Sequence, residues 1–191
     1  MLQSTSTSKN IPAREECLSL MKKEGMLDNI VRHSLMVEKV ALFLAHSLIQ
    51  FGEKLDLKVI GAAALLHDIT KTRSIHTHEN HALTGELLLN ELGYPLIGKI
   101  IGYHVEIPIL TIKKSSVSHE EIINYADKRV LHDTIVTLTK RFHDIHRRYG
   151  LNMKTSPRLK MIEKQSFYIE KKIFPKINLS PKTLTTLIFD I

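Results

Sequence analysis

Six histidine and aspartate side chains in this sequence are placed where they can do chemistry together. They lie on the inner faces or at the ends of apolar helical segments: His33, the adjacent pair His67 and Asp68, His81, His104 and Asp127. Imidazole and carboxylate groups are natural ligands for divalent transition metals. An adjacent His-Asp pair at a helix end can place both side chains on one ion, or let the aspartate bridge two. The residue types therefore predict a metal site.

Spacing alone is weak support for that site, because the chain contains 11 histidines. No compact zinc motif such as HExxH occurs, and the single cysteine, Cys17, excludes a CxxC pair. An inner-face histidine such as His33 is more often a core residue than a ligand. The His67-Asp68 pair is harder to explain in that way. An unpaired carboxylate placed directly behind the apolar segment Val59–Leu66 would be costly.

The elements that carry the first candidates are predicted to be helices. From Leu27 to Leu48 the apolar residues recur at helical spacing, and His33 lies on that inner face. Asp56 is a plausible N-cap for the next helix, which is apolar all round and is therefore expected to be buried. That helix ends on His67 and Asp68.

Two further helices are predicted to position the additional histidines. One runs from about Asn80 to Leu92, contains His81, and is closed by Gly93. Pro95 opens the next helix, which contains His104.

The helix that carries Asp127 has a clear start signal, because Ser118 and Glu121 form a capping-box pattern. Residues 70–80 are predicted to form a polar loop, and residues 105–117 to be irregular.

The rest of the chain is also punctuated like a helical protein. A helix is expected over residues 12–25, another ends at residues 149–150, a long one covers about 156–174, and a short one follows residues 180–181. There is no β alternation, internal repeat or clear linker. We therefore predict one all-α domain over residues 1–191.

Composition places the chain among ordinary globular proteins. It has 191 residues, 43% hydrophobic and 25% charged, enough for one domain with a core. Cys17 alone cannot form an internal disulfide, which gives no support for secretion. The first ten residues are polar, are expected to be a frayed tail, and lack the apolar core of a signal peptide. The longest apolar run, Val59–Leu66, is too short to span a membrane. These features predict a cytoplasmic protein.

Charge is distributed unevenly along the chain. Residues 128–191 hold 14 lysines and arginines against 5 acidic residues, while the preceding part is slightly acidic. A basic half beside a site rich in histidine and aspartate suits a phosphorylated, anionic substrate. It also suits nucleic acid, and it is equally consistent with a solvated basic helix face.

Four of the candidates match a family signature. His33, His67-Asp68 and Asp127 follow the order H…HD…D, within the words RHSLMV, ALLHDITK and NYADKRV. In this the sequence resembles the HD superfamily of metal-dependent phosphohydrolases, over roughly residues 27–150. The resemblance implies an all-α HD-domain bundle. The helical pattern of the remaining chain predicts that residues 151–191 form peripheral C-terminal helices.

Two further words sharpen the resemblance. His81 in HALTGE and His104 in IIGYHVE are similar to the extra histidines of HD proteins that bind two metals, which include bacterial diadenosine tetraphosphate hydrolases. His78 is a rival to His81, but HAxxG fits the family better. After Asp127 the chain reads DKRVLHD, where that group usually has an acidic residue and a proline-containing turn. The resemblance therefore does not specify adenosine.

The resemblance implies a role for each position. The first metal would be held by the four signature residues, and the second by His81 and His104 with Asp68 bridging. The site would hold one or two divalent ions of Fe, Mn, Ni, Co or Zn. These ions would activate water against a phosphate ester or anhydride. Asp68 and Lys71 are the expected catalytic residues. Contacts to the substrate phosphate are expected from four cations, namely Lys71, Arg73, Arg129 and Arg141.

A nucleotide is the preferred substrate class, but two other functions are left open. One is a binding module that senses a nucleotide with little turnover. The other is a nucleic-acid-binding protein that uses the basic segment from Lys128 to Lys182. No membrane partner is expected. The leucine, isoleucine and methionine pattern of residues 151–174 is more typical of core packing or a homodimer contact than of a cofactor site.

Overall fold

The structure is a computed structural model that describes residues 10–108, 112, 115–149 and 156–186, except for the side chain of Ser156. Its elements, numbered here in chain order, are α1 Arg14–Lys23, α2 Asp28–Gln50, α3 Leu57–Leu66, α4 Lys71–Thr77, α5 His81–Glu91, α6 Pro95–Gly102, α7 His119–Lys128, β1 Val130–Leu131, β2 Thr134–Ile135, α8 Leu138–Tyr149, α9 Ser156–Ile177 and a final 3₁₀ turn Pro181–Thr186. The predicted all-α helical bundle with an additional C-terminal helical segment is confirmed.

Helices α2 and α3 pack against each other at the centre of the bundle. Helix α2 buries one apolar face, whereas α3 is buried on nearly every side from Val59 to Leu66. The α3 helix begins where the sequence predicts, because the Asp56 carboxylate accepts hydrogen bonds from the backbone N–H groups of Lys58 and Val59. Its far end delivers the chain directly to residues 67 and 68.

Helices α5 and α6 form a second closely packed pair. The Asn80 side chain caps α5, and Pro95 is the first residue of α6. Gly98 lies at their contact, where an added Cβ atom would be 2.9 Å from the Glu86 carbonyl oxygen and 2.8 Å from Asn90 Oδ1. The absence of a side chain at position 98 therefore allows the close approach of α5, which begins at His81, and α6, which ends two residues before His104.

Helix α7 is anchored at both ends. Its start has the predicted capping box between Ser118 and Glu121. The buried Glu121 carboxylate also accepts a hydrogen bond from Lys172 of α9, at 2.7 Å. A short antiparallel hairpin follows α7, with Val130 opposite Ile135. Helix α7 is thus held between the C-terminal helix and the hairpin.

Three local predictions differ from the structure. The predicted polar loop at 70–80 contains α4, a short helix with no buried residue, so no apolar face signals it in the sequence. The hairpin was missed because strands of two residues are too short to show alternation. Helix α9 continues through Pro175 to Ile177, beyond its predicted end near Phe174.

One cluster of buried apolar residues extends from Cys17 in α1 to Leu184 in the final turn, and α9 contributes Ile169 and Ile173 to it. No helix in the described ranges is both long and apolar enough to cross a membrane. Several predictions fall outside the described residues. They concern residues 1–9 of the polar tail, most of 109–114, the helix end at Gly150, and the chain after residue 186.

Candidate metal centre

The six candidate ligands come from five places in the fold and meet at one point. His33 lies in the second turn of α2, and His67 and Asp68 directly follow α3. His81 is the first residue of α5, and His104 lies two residues after α6. The sixth, in the last turn of α7, is Asp127. Five of the six are buried, and His81 is half-buried, so the site opens to solvent on the His81 side.

A first group is formed by His33, His67 and Asp68, which each offer a ligand atom within 4.8 Å of the others. Asp127 lies against this group, since its Oδ1 is 3.0 Å from His33 Nε2 and 3.8 Å from His67 Nε2. The residues of the H…HD…D signature are therefore brought together. His33 and Asp127 are 94 residues apart in the chain.

A second group consists of Asp68, His81 and His104, again with ligand atoms within 4.8 Å of one another. The Nε2 atoms of His81 and His104 are 3.1 Å apart, and they lie 3.4 Å and 3.6 Å from Asp68 Oδ1. The other oxygen, Asp68 Oδ2, is 3.4 Å from His67 Nε2 in the first group. The Asp68 carboxylate thus presents one oxygen to each group.

Backbone carbonyl groups orient three of the imidazoles. The Nδ1 atoms of His67 and His104 lie 2.8 Å and 2.6 Å from the carbonyl oxygens three residues earlier, at Ala64 and Ile101. His33 Nδ1 lies 2.7 Å from the carbonyl oxygen of His132. An Nδ1–H that donates to a carbonyl leaves a lone pair on Nε2. All three rings therefore direct Nε2, the nitrogen that is able to bind a metal, toward the centre.

Two buried atoms at the centre, His67 Nε2 and Asp68 Oδ1, have no hydrogen-bond partner among the described residues. A buried polar atom left in this state costs about 1–3 kcal/mol. His67 Nε2 belongs to the first ligand group, and Asp68 Oδ1 faces the second. A cation in each group would therefore satisfy both atoms. The mixed imidazole and carboxylate donors also fit a divalent transition metal. The site therefore fits divalent metal binding, and the donor set does not select one metal.

Cationic side chains border the two carboxylates. Lys71 Nζ is 2.7 Å from Asp68 Oδ2, and Lys128 Nζ is 2.5 Å from Asp127 Oδ2. Arg141 lies farther out, with a terminal nitrogen 3.9 Å from Asp127 Oδ1. Its buried Nε has no hydrogen-bond partner in the part of the chain that the structure describes. Three cations thus border the two carboxylates, an arrangement that suits an anionic ligand.

These charges determine the protonation of the carboxyl groups. Burial alone would raise the pKa of Asp68, but the Lys71 ammonium and the neighbouring histidines hold it well below its usual range. Burial is likewise outweighed at Asp127, where Lys128 and His33 hold the pKa well below its usual range. Both groups are therefore carboxylates at neutral pH, the form that binds a metal.

The histidines divide into two kinds. Burial and the neighbouring His104 lower the pKa of His81 to about 4, and burial lowers the pKa of His104. At His67, burial is outweighed by the charges of Asp68 and Asp127, so its pKa is raised. The imidazoles of the second group are thus neutral near pH 7, as ligands must be.

The other predicted residues differ in where they lie. Lys71 and Arg141 are at the centre, as described above. Arg73 is exposed, with its Nε 3.5 Å from Glu79 Oε2. Arg129 is fully buried and donates hydrogen bonds to the carbonyl oxygens of Val136 and Pro181. Neither Arg73 nor Arg129 forms an ion pair with Asp68 or Asp127 among the described contacts.

Two residues that sequence reasoning did not single out shape the site, and one rival ligand is absent from it. Lys128 contacts Asp127 and also donates to the carbonyl oxygen of His104, at 3.2 Å. It directly follows Asp127 in the chain, which is the only sequence signal for it. His132, at a backbone φ of 60°, supplies the carbonyl oxygen that orients His33. The rival to His81, His78, is exposed and belongs to neither ligand group.

Comparison with known proteins identifies the family. The sequence model of the HD domain matches residues 30–162, a span that includes all six ligand candidates. The chain belongs to the HD domain family. The HD match extends beyond the end of the predicted core at residue 150 and into α9.

Relatives among curated proteins include the following two. A tRNA (cytidine(56)-2′-O)-methyltransferase of Picrophilus torridus is 29% identical over 142 residues, which covers 68% of this chain and 40% of the relative. An uncharacterized protein of Methanocaldococcus jannaschii is 28% identical over 151 residues, covering 69% of this chain and 88% of the relative. The HD chain thus spans less than half the length of the methyltransferase. No solved structure matches.

Proposed function

We propose that this HD domain is a metal-dependent phosphohydrolase that cleaves a phosphate ester or anhydride, preferably of a nucleotide. The observation that carries the proposal is the position of Asp68, whose two oxygens face two separate groups of histidines. A single carboxylate shared in this way is suited to bridge two ions. Membership of the HD family supports the same chemistry.

Each side chain has a distinct part in this proposal. Divalent metal held by the six ligands would supply activated water and would neutralise charge on the phosphoryl oxygens. Lys71 is partly exposed beside Asp68, so its ammonium group can bind a phosphoryl oxygen as a point charge. Arg141, whose Nε makes no hydrogen bond to a described residue, offers a planar donor group to the same anion. Lys128 is buried and holds Asp127 in place.

Product analysis with a nucleotide panel tests the proposal. The full chain would be incubated with Mn²⁺ and with mononucleotides, dinucleoside tetraphosphates, cyclic dinucleotides and RNA that carries terminal phosphates. Turnover of one class is expected, and the variant Asp68→Ala should abolish it. Asp28→Ala, which removes an exposed carboxylate in α2, is the matched control and should retain activity. If no compound is cleaved by protein shown to hold metal, the enzyme proposal fails.

A nucleotide sensor is the first alternative, and the ligand groups count against it. A module that had lost its chemistry would be expected to lose ligands, yet all six side chains are present and gathered. Equilibrium binding separates the two functions. A tight complex from which the nucleotide is recovered unchanged, in the presence of Mn²⁺, would favour the sensor.

Nucleic acid binding is the second alternative, and the basic C-terminal part together with the tRNA methyltransferase relative keeps it open. Methyl transfer does not carry over, because the chain spans only 40% of that relative. Filter binding of tRNA at two salt concentrations tests this alternative, since phosphate contacts weaken steeply with salt. The exposed cations Lys140, Arg147 and Arg148 would be neutralised together. Unchanged binding in that variant would exclude a role for this basic surface.

A further inference from the structure

A large cleft lies beside the metal centre, between residues 102–108 and the exposed face of α9. We call it the α6–α9 cleft; its wall includes Asn80, Tyr103, Val105, Ile107, Met161 and Tyr168. Its volume is about 900 Å³, which is within the range of about 300–1,000 Å³ typical of small-molecule sites. A phosphate group alone would fill only a small part of that space.

The cleft shares two chain segments with the second ligand group. Asn80 and Ala82, which flank His81, line the cleft, and so do Tyr103 and Val105, which flank His104. Consecutive Cα atoms are about 3.8 Å apart, so the cleft begins within one residue of two ligands. Of these two ligand candidates, His81 is the more exposed, with 25% of its side chain accessible against 2% for His104.

The wall of the cleft suits a flat apolar group with a few polar atoms. On α9, Met161 and Tyr168 lie on one face at helical spacing, and both are about half exposed. The exposed part of their apolar surface is open to solvent, because no described residue covers it. On the opposite wall, the Asn80 side chain uses Oδ1 to cap α5, and no described residue accepts a hydrogen bond from its amide nitrogen. An aromatic ring with hydrogen-bonding edges fits these contacts.

The two walls are tied together by side-chain hydrogen bonds. The amide of Gln165 in α9 accepts from the backbone N–H of Ile107 at 3.0 Å and donates to the carbonyl oxygen of the same residue at 2.7 Å. Nearby, Arg158 pairs with Glu106 at 2.9 Å. A ligand would therefore enter a cleft that is largely formed in advance, which lowers the ordering cost of binding.

We propose that the α6–α9 cleft binds the aromatic base of a nucleotide whose phosphate lies at the metal centre, with Tyr168 stacking on the base. The inference rests on the proposed phosphohydrolase function and specifies its substrate class. The wall formed by Lys164, Gln165 and Tyr168 lies beyond residue 162, where the HD match ends. This part of the recognition therefore belongs to this chain's own C-terminal helix.

Binding of a base can be measured without any hydrolysis. The fluorescent nucleoside 2-aminopurine riboside carries no phosphate, and the chain has no tryptophan to interfere with its signal. In titrations of the full chain with a chelator present, we expect saturable quenching as the base stacks on tyrosine. Adenosine monophosphate or another nucleoside monophosphate should compete, whereas ribose 5-phosphate, which lacks a base, should compete at least about fivefold more weakly.

Two variants and one control connect this binding to the cleft. Tyr168→Ala should weaken binding of the riboside about fivefold or more, because one stacking partner is lost. Met161→Glu should weaken it as well, by placing a charge in the apolar wall. Phe51→Ala removes another exposed aromatic ring, outside the cleft, and should have no effect. All three substitutions are at exposed positions, so the fold is expected to persist.

Several outcomes would overturn the inference. These are the absence of saturable quenching, equal binding by Tyr168→Ala and the unaltered chain, or equal competition by ribose 5-phosphate. Failure here is distinguishable from failure of the proposed function. Base binding without turnover of any phosphate compound would sink the enzyme proposal alone, while turnover without base binding would sink the cleft proposal alone.

Discussion

At the scale of single residues, Asp68 differs from the other candidate ligands because it belongs to both groups. His33, His67 and Asp127 lie on one side of it, and His81 and His104 lie on the other. Removing Asp68 should therefore disturb both groups. Removal of a histidine from the second group should disturb only one.

Substitution of His104 tests the two-metal arrangement. His104→Ala should lower the metal content of Mn²⁺-loaded protein from about two ions per chain to about one, since the first group keeps its ligands. Metal per chain can be measured by elemental analysis after desalting. His46→Ala, which removes an exposed histidine of α2, should retain the full metal content. An unchanged stoichiometry in His104→Ala would contradict the two-metal arrangement.

The candidate ligands could be predicted from the sequence, but most of the contacts that orient them could not. The rings of His67 and His104 are oriented by carbonyl groups three residues earlier, so a local contact determines their orientation. His33 instead depends on the carbonyl oxygen of His132, 99 residues away. Helical periodicity describes one element at a time and does not reveal such a pairing. Lys128 contacts the adjacent Asp127, but its second contact, to the carbonyl oxygen of His104, joins residues that are 24 apart and was missed for the same reason.

At the scale of elements, the packing of α5 against α6 controls the distance between His81 and His104. The HALTGE and IIGYHVE words identified both histidines, but the close approach at Gly98 depends on tertiary packing that no local pattern describes. Capping signals behaved differently. Asp56, Ser118 and Glu121 begin their helices where the sequence predicts, because a cap acts within a few residues of its own position.

Two glycine substitutions form a matched test of the α5–α6 packing. Gly98→Ala should destabilise the fold by about 1–3 kcal/mol, since its Cβ would meet the Glu86 carbonyl group. Gly61→Ala in α3 should be neutral or stabilising by about 0.5–1 kcal/mol, because nothing lies within 3.9 Å of its Cβ and alanine favours helices. Urea unfolding measures both. Equal stability of the two variants would show that α5 and α6 do not need this contact.

Arg129 connects α7 to the C-terminal part of the chain rather than to the carboxylates of the centre. Its buried guanidinium contacts Tyr125, Glu170 and two carbonyl groups. Arg129→Met should therefore lower the free energy of unfolding by about 3 kcal/mol. Arg32→Met, which removes an exposed ion pair with Asp133, should change it by less than about 1 kcal/mol. A raised KM at unchanged stability would instead support the predicted substrate contact.

At the scale of the whole molecule, metal binding and folding are expected to be coupled. The candidate ligands come from α2, α5 and α7 and from the chain directly after α3 and α6, so the site exists only in the folded chain. Anything that binds only the folded state stabilises it. The two buried atoms at the centre that lack a partner among the described residues add to the expected effect, because a bound metal would relieve their cost.

Thermal unfolding measures this coupling. Mn²⁺ at about 100 times its dissociation constant contributes about 2.7 kcal/mol, which corresponds to a rise in Tm of about 5–10 °C for a chain of this size. Asp68→Ala should show almost no rise on addition of Mn²⁺, whereas Asp28→Ala should behave like the unaltered protein. A Tm that does not depend on Mn²⁺ would contradict the expected coupling between metal binding and folding.

Removal and return of the metal test the proposed chemistry most directly. The full chain would be treated with EDTA, desalted, and assayed for cleavage of its panel substrate while Mn²⁺ is added back. We predict that cleavage stops without metal, returns in proportion to bound Mn²⁺, and never returns in Asp68→Ala. Cleavage that continues unchanged in protein shown to be free of metal would contradict a metal-dependent phosphohydrolase.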